Sequence, residues 1–142
     1  MAKLFPPPLQ HPVVEEGGDA TIPWTDWFNR LFVGDSGTAW TPTFTSLTTV
    51  GTPTITGVYY KLSQNLVYFR VTITPATSTT GTAGVTYINN FPLDIKHDGG
   101  CQTVSGVSAA DGACVASNDR IYPSGWGVTT VPVTICGTVE AG

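Results

Sequence analysis

Charged residues are scarce in this sequence of 142 residues, at 11% of the total, whereas an average soluble domain has about a quarter. The six Lys and Arg are scattered, and the net charge is -4, so the basic patch typical of a nucleic-acid-binding surface is missing. No apolar run reaches the length of about 18 residues that a membrane-spanning helix requires. We therefore expect neither nucleic-acid binding nor membrane insertion.

Cysteine is also rare, and its count is odd: Cys101, Cys114 and Cys136. The spacing includes no Cys-x-x-Cys, which argues against a zinc site. The N-terminal residues lack the apolar segment and the cleavage site of a signal peptide. We therefore expect synthesis in a reducing cytoplasm and free thiols. The alternative is that Cys101 and Cys114 pair across a hairpin after release from the cell.

Motifs for catalysis or cofactor binding are lacking as well. Neither histidine lies in a metal-binding motif, and the sequence has no nucleophile elbow and no phosphate-binding glycine loop. A glycosidase needs two carboxylates that face one another, but the acidic residues of the body, residues 38–142, lie in turn-like sequence if Glu140 near the C-terminus is set aside. These residues are Asp94, Asp98, Asp111 and Asp119. We expect no enzymatic activity, no metal and no cofactor.

Thr, Gly and Pro take the place of the missing residues, with 16 Gly and 11 Pro. Thr is β-branched and suits a pleated sheet, while Gly and Pro favour tight turns. About eight short strands, the number of a sandwich or jelly roll, are predicted at 40–49, 54–62, 65–74, 85–89, 101–108, 113–117, 120–122 and 128–139. The predicted fold is all-β: an antiparallel β-sandwich, jelly-roll-like, over residues 38–142.

The clearest strand pair is a hairpin around the turn at 63–65. In its second strand the odd-numbered residues from Val67 to Ile73 form an apolar face that belongs in the core. The opposite face carries Leu66 and Tyr68, which is more apolar surface than one sandwich face needs. This surplus predicts self-association, as a trimer or a larger assembly. Residues 75–84 are predicted to be a polar loop.

Residues 1–37 form a different region, an N-terminal arm that begins in extended conformation. Consecutive prolines favour polyproline II and supply no donors to a sheet. This extended segment covers residues 1–21, and its candidate attachment residues are Leu4, Phe5, Pro6, Pro7 and Pro8. The segment is predicted to be either a disordered tail or a docking segment that orders on a partner.

One short amphipathic helix is predicted within the arm, at 22–33. Pro23 suits the first helical turn, and an apolar stripe follows at i, i+3, i+4 and i+7. The stripe consists of Trp24, Trp27, Phe28 and Leu31. A helix this short needs a surface to pack on, either the core of its own domain or another chain. The glycine-rich segment at 34–37 is predicted to be a flexible joint before the body.

Two stretches resemble proteins of tailed bacteriophage virions. The proline-rich start followed by the Pro-Trp-x-x-Trp-Phe-x-x-Leu-Phe helix at 23–32 is similar to N-terminal attachment segments of small virion proteins. Residues 40–44, 57–62 and 65–71, and the ending from 120 to 137, are similar to the β-domains of phage fibres. The resemblance implies a homotrimer attached by its N-terminus, with its β-domains pointing outward. The chain lacks the long shaft of receptor-binding fibres, which favours a short fibre, a neck or tail part, or a capsid decoration protein.

The predicted function is therefore non-enzymatic: a short homotrimeric fibre of the tail or neck in the virion. Residues 1–33 are expected to attach it to a portal, adaptor, tail or capsid protein. The alternatives are a capsid decoration protein and a module that binds carbohydrate on the host surface. For the last role we expect contacts from Tyr122 and Trp126, because Tyr and Trp stack on sugars and the glycines beside Trp126 predict its exposure.

Overall fold

The computed structural model describes residues 36–142 and, within the arm, Trp24 alone, which is helical and half-buried. The rest of the predicted helix at 22–33 lies outside the described residues. Within 36–142 all regular elements are strands, and all their pairings are antiparallel. The all-β, antiparallel class is thus confirmed. The strands are β1 (Thr38–Trp40), β2 (Phe44–Thr45), β3 (Thr48–Val50), β4 (Thr54–Lys61), β5 (Leu66–Thr74), β6 (Ser78–Gly81), β7 (Tyr87–Ile88), β8 (Gly99–Ser105), β9 (Ser108–Val115), β10 (Arg120–Tyr122), β11 (Trp126–Thr129) and β12 (Val133–Glu140).

Nine of these strands form one large sheet, in the order β1-β4-β5-β12-β8-β9-β10-β7-β2. Its edge strands, β1 and β2, are separated by residues 41–43 alone, a connection that spans at most about 14 Å. The sheet must therefore curl until its two edges lie close together. Asn90 holds this junction, since its side chain donates to the Thr41 carbonyl at 2.8 Å and accepts from the Thr43 N–H at 2.7 Å.

The other three strands form a small sheet in the order β11-β6-β3. Each of them follows a strand of the large sheet after a short connection: β3 follows β2, β6 follows β5 and β11 follows β10. Trp126 pairs with Gly81 in the small sheet, while its side chain belongs to the buried core of the large sheet. The N–H of Ser124 also donates to the hydroxyl of Thr103 at 3.1 Å. The small sheet therefore packs against the core of the large one.

The β4–β5 hairpin confirms the strand pair that the sequence predicts. Along β5, buried residues alternate with exposed or half-buried ones, and the inward positions have no exposed surface. The neighbouring β12 places Val133 opposite Ile73 and Ile135 opposite Val71, which extends the apolar face. The buried apolar core comprises Val67, Phe69, Val71, Ile73, Ile88, Phe91, Ile95, Cys101, Cys114, Ile121, Trp126, Val133, Ile135, Val139 and Ala141.

Phe91 links this core to the junction where the sheet edges meet. Its ring lies 5.6 Å from that of Trp40 on β1, 6.3 Å from that of Tyr59 on β4 and 5.6 Å from that of Phe69 on β5. Aromatic pairs at this separation add to the stability from burial alone. The residues after β7 therefore fasten one edge of the curled sheet to the other.

Two predicted strands are interrupted in the structure. Residues 40–49 form three short strands, because the chain leaves the sheet at 41–43 and Ser46 turns it with a φ of 59°. Residues 128–139 are divided between β11 and β12 by the segment at 130–132. Pro132 has no N–H to give to a ladder. The alternation of apolar and polar residues did not indicate either of these interruptions.

The prediction of a polar loop at 75–84 is wrong, because β6 lies within it. Thr79 is buried and pairs with Thr49 on β3, while Gly81 is buried against Trp126. Thr is polar by composition but forms strands readily, and a strand whose buried positions hold Thr and Gly shows no apolar alternation. The segment therefore has the composition of a loop and the structure of a central strand.

Candidate functional site

A groove of ≈ 370 Å³ lies between β11 and the end of the β8–β9 hairpin that contains its turn. Its origin is visible in the register of that hairpin. The inward row on β8 runs from buried Cys101 through buried Thr103 to half-buried Ser105. On β9 the facing row ends in Ala110 and Ser108, both exposed. The core-facing side of the hairpin therefore changes from apolar to small and polar, and the space above it stays open.

The residues that line the groove are uncharged, and many of them carry hydroxyl groups. They are Thr103, Ser105, Ser108, Ala109, Ala110, Ser124, Gly125, Trp126, Gly127, Val128 and Thr129. The sequence signal for this site is the stretch from 105 to 112, in which six of the eight residues are Gly, Ala or Ser. Its core-facing positions hold Ser and Ala where a closed core would need larger apolar residues. Of the site residues predicted from the sequence, the groove lining includes Trp126.

Trp126 forms part of the groove wall, and the expectation that it is exposed is wrong. Its side chain is 8% exposed, and its Nε1 donates to the Thr79 hydroxyl at 3.3 Å. The ring lies on Gly81, where an added Cβ would come within 2.5 Å of it. Of the two flanking glycines, Gly127 leaves open space, but an added Cβ at Gly125 would lie 3.0 Å from the backbone N of Ala83. Gly81 on the neighbouring strand provides the space that the buried ring occupies.

Tyr122, the other predicted carbohydrate contact, is half-buried in a second cluster. Its ring lies 5.3 Å from that of Tyr87, and the Arg120 guanidinium stacks 4.2 Å from the centre of the Tyr87 ring. Arg120 and Asn118 donate to the Tyr122 hydroxyl at 3.4 Å and 3.3 Å. The hydrogen bond from Arg120 holds the pKa of Tyr122 below its ordinary value. Tyr122 is not among the residues that line the groove, so the structure does not bring it together with Trp126 in one site.

The attachment of the chain to a virion through its arm residues stays a prediction. Trp24 is the only one among the described residues. The others, which lie outside them, are Leu4, Phe5, Pro6, Pro7, Pro8, Trp27, Phe28 and Leu31.

The acidic residues of the body have different local roles. Asp98 accepts from the Ala116 N–H and Asp119 accepts from the Ile95 N–H, both at 2.8 Å. Asp94 lies 3.5 Å from the Lys96 ammonium on the surface. Asp111 lies in strand β9, not in a turn. Within residues 36–142 no three His, Cys, Asp or Glu side chains are grouped as a metal site would require.

The three cysteines are free thiols in the structure, and two of them are buried neighbours. Cys101 faces Gly112 across the hairpin, which puts Cys114 at the diagonal position, about 7–8 Å away between Cα atoms. Disulfides usually join Cα atoms about 4.4–6.8 Å apart. The hydrogen bond with Cys101, together with burial, raises the pKa of the Cys114 thiol. Cys114 is therefore a weak nucleophile.

Among the residues that the structure describes, no helix has the length and apolar character needed to cross a membrane. Comparison of the chain with protein-family models, with curated proteins and with solved structures finds no match.

Proposed function

We propose that the chain is a non-enzymatic structural protein of a bacteriophage virion, made in the cytoplasm of the bacterial host. In this proposal it is a short homotrimeric fibre of the tail or neck, with a jelly-roll-like sandwich as its body. Residues 1–33 attach it to a portal, adaptor, tail or capsid protein. The basis for the viral origin is the similarity of the arm and of the strand sequences to phage virion proteins.

The observation that carries the proposal is the composition of the core. The buried apolar residues run from Val67 to Ala141, and the half-buried residues packed on them begin at Trp40. Among the described residues, the body therefore has an apolar core built from its own strands. Burial of one large apolar side chain contributes about 1.5–3 kcal/mol, so four such side chains give the arm enough apolar surface to dock on a second protein.

Self-association is supported by the outer face of the β4–β5 hairpin. Leu62 is 58% exposed and Leu66 41% exposed, and the rings of Tyr60 and Tyr68 lie 6.0 Å apart on the same side of the sheet. Gly37 packs on Tyr60, where a Cβ would come within 2.6 Å of the ring. Gly37, the residue before β1, therefore lies on this outer face. The proposed trimer contact is thus next to the end of the arm.

The test of attachment uses two substitutions in the full chain, Trp24→Ala together with Trp27→Ala. We expect the far-ultraviolet circular dichroism and the melting temperature to change little, while the protein disappears from purified particles of the phage that encodes it. Trp126→Ala provides the matched control, because it removes a tryptophan of the body core and should lower the melting temperature. Loss of the fold in the arm double mutant would place the helix in the core and contradict the proposal.

Two alternative roles use the same arm and differ in the body. A capsid decoration protein would appear on the head in electron micrographs of particles labelled with an antibody against the body, whereas a fibre would appear at the tail or neck. A carbohydrate-binding module is favoured by one observation, the neutral, hydroxyl-lined groove beside Trp126.

A further inference from the structure

We propose that the groove between β11 and the β8–β9 hairpin binds a neutral saccharide of one or two sugar rings. This inference develops the carbohydrate-binding alternative and gives it a location, which differs from the Tyr122 cluster. It does not depend on where on a particle the chain sits.

The volume of the groove fits such a ligand. Ligand sites in proteins usually measure about 300–1,000 Å³, and this groove, at ≈ 370 Å³, lies near the lower end. The space exists because strand positions that face inward carry Ser105, Ser108 and Ala110. In a closed core these positions would hold larger apolar side chains, since protein interiors are close-packed.

The chemistry of the lining selects for neutral polyhydroxy compounds. Five of the lining residues carry hydroxyl groups, and none is charged. A hydroxyl group donates one hydrogen bond and accepts two, so Ser105 and Ser108 can pair with sugar hydroxyls in either direction. The Thr103 and Thr129 hydroxyls each accept a backbone N–H, from Ser124 and Val131, which orients them and leaves their protons to donate.

The apolar part of the lining suits the carbon face of a sugar ring. Trp126, Ala109, Ala110 and Val128 lie on the groove surface, and Val128 is 77% exposed. The indole of Trp126 is held in place by Thr79 and Gly81, so this wall is formed before a ligand arrives. A charged ligand would find no counter-charge here, and a peptide would find few apolar pockets for its side chains.

The test is an amide NMR titration of the full chain with maltose, cellobiose, mannobiose, lactose and N,N′-diacetylchitobiose. At least one of them should shift the resonances of residues 105–110 and 124–129 in a saturable way. Ala110→Trp, which fills the groove from an exposed position, should weaken this binding by about tenfold or more. Ala39→Trp, an exposed alanine on β1, is the matched control and should bind as the wild type does. Ser105→Ala with Ser108→Ala should weaken binding without adding bulk.

Four results would overturn the inference. They are the absence of saturable shifts with all five probes, shifts confined to residues 87 and 118–122, equal binding by Ala110→Trp, and occupation of the groove by a second copy. The last would appear as shifts that depend on protein concentration without any sugar. None of these results tests attachment through the arm, because that proposal is tested by whether the arm double mutant is incorporated into particles.

Discussion

The contact between Trp126 and Gly81 gives a quantitative prediction about how the two sheets are joined. Gly81 has no positive φ, so its backbone conformation suits any residue, and the three atoms that an added Cβ would meet first all belong to the indole of Trp126. A Cβ at this position would lie 2.5 Å from the ring. Gly81→Ala should therefore destabilise the fold by about 1–3 kcal/mol, the usual result of overpacking.

The reason for that loss is tested by removing the ring. Trp126→Ala alone should cost about 3–5 kcal/mol, as expected for a large aromatic side chain deleted from a core. In that background the added methyl group meets no ring, and Gly81→Ala should be neutral or should stabilise the strand by up to about 1 kcal/mol. The two substitutions should thus be coupled by about 1–4 kcal/mol, the difference between the effect of Gly81→Ala with and without the ring.

The free energy of unfolding would be measured by urea denaturation followed by circular dichroism, since Trp126→Ala itself changes the fluorescence. The matched control is Gly127→Ala, because a Cβ at Gly127 meets nothing within 4 Å, and its change should stay within about 0.5 kcal/mol. If Gly81→Ala costs the same with and without the indole, the contact with Trp126 is not the reason for glycine at this position.

Three further predictions concern the thiols, the assembly and one tyrosine. Alkylation of the native protein should modify Cys136 first, and all three thiols should react after denaturation. Replacing Cys101 and Cys114 with Ala should lower the free energy of unfolding by less than about 2 kcal/mol, and a protein mass lower by two hydrogens would reveal a disulfide. Sedimentation at micromolar concentration should give about three times 15.0 kDa, and a monomer would refute the trimer. Arg120→Met removes the donor that lowers the pKa of Tyr122, so that pKa, followed by NMR, should rise toward its ordinary value; an unchanged pKa would mean that the hydrogen bond has no influence.

The β4–β5 hairpin could be predicted from the sequence because its signal is local. Apolar side chains recur at every second position from Val67 to Ile73, and a short polar turn precedes them. Both features act between neighbours in the chain, so no knowledge of the rest of the molecule is needed. The all-β class follows from the same kind of pattern, repeated in shorter segments.

The placement of Trp126 could not be predicted in this way. Whether a tryptophan between two glycines is exposed depends on what the opposite strand offers, and its hydrogen-bond partner Thr79 is 47 residues away in the sequence. The groove beside it has the same origin. The small residues on β8 and β9 border a groove only because β11 lies beside them, and that proximity is a property of the topology.

The curl of the large sheet also bears on how copies of the chain can associate. An open sheet presents unpaired backbone groups along its edges, and these can pair with another chain. Here the edges of the large sheet lie close together, with the segment at 41–43 fastened by Asn90. The edge strands of the small sheet, β3 and β11, have three and four residues, which offers little length for strand addition. Contacts between copies should therefore form through side chains on a sheet face, and the outer face of β4–β5, with Leu62, Leu66 and the two tyrosines, has the exposed apolar surface for them.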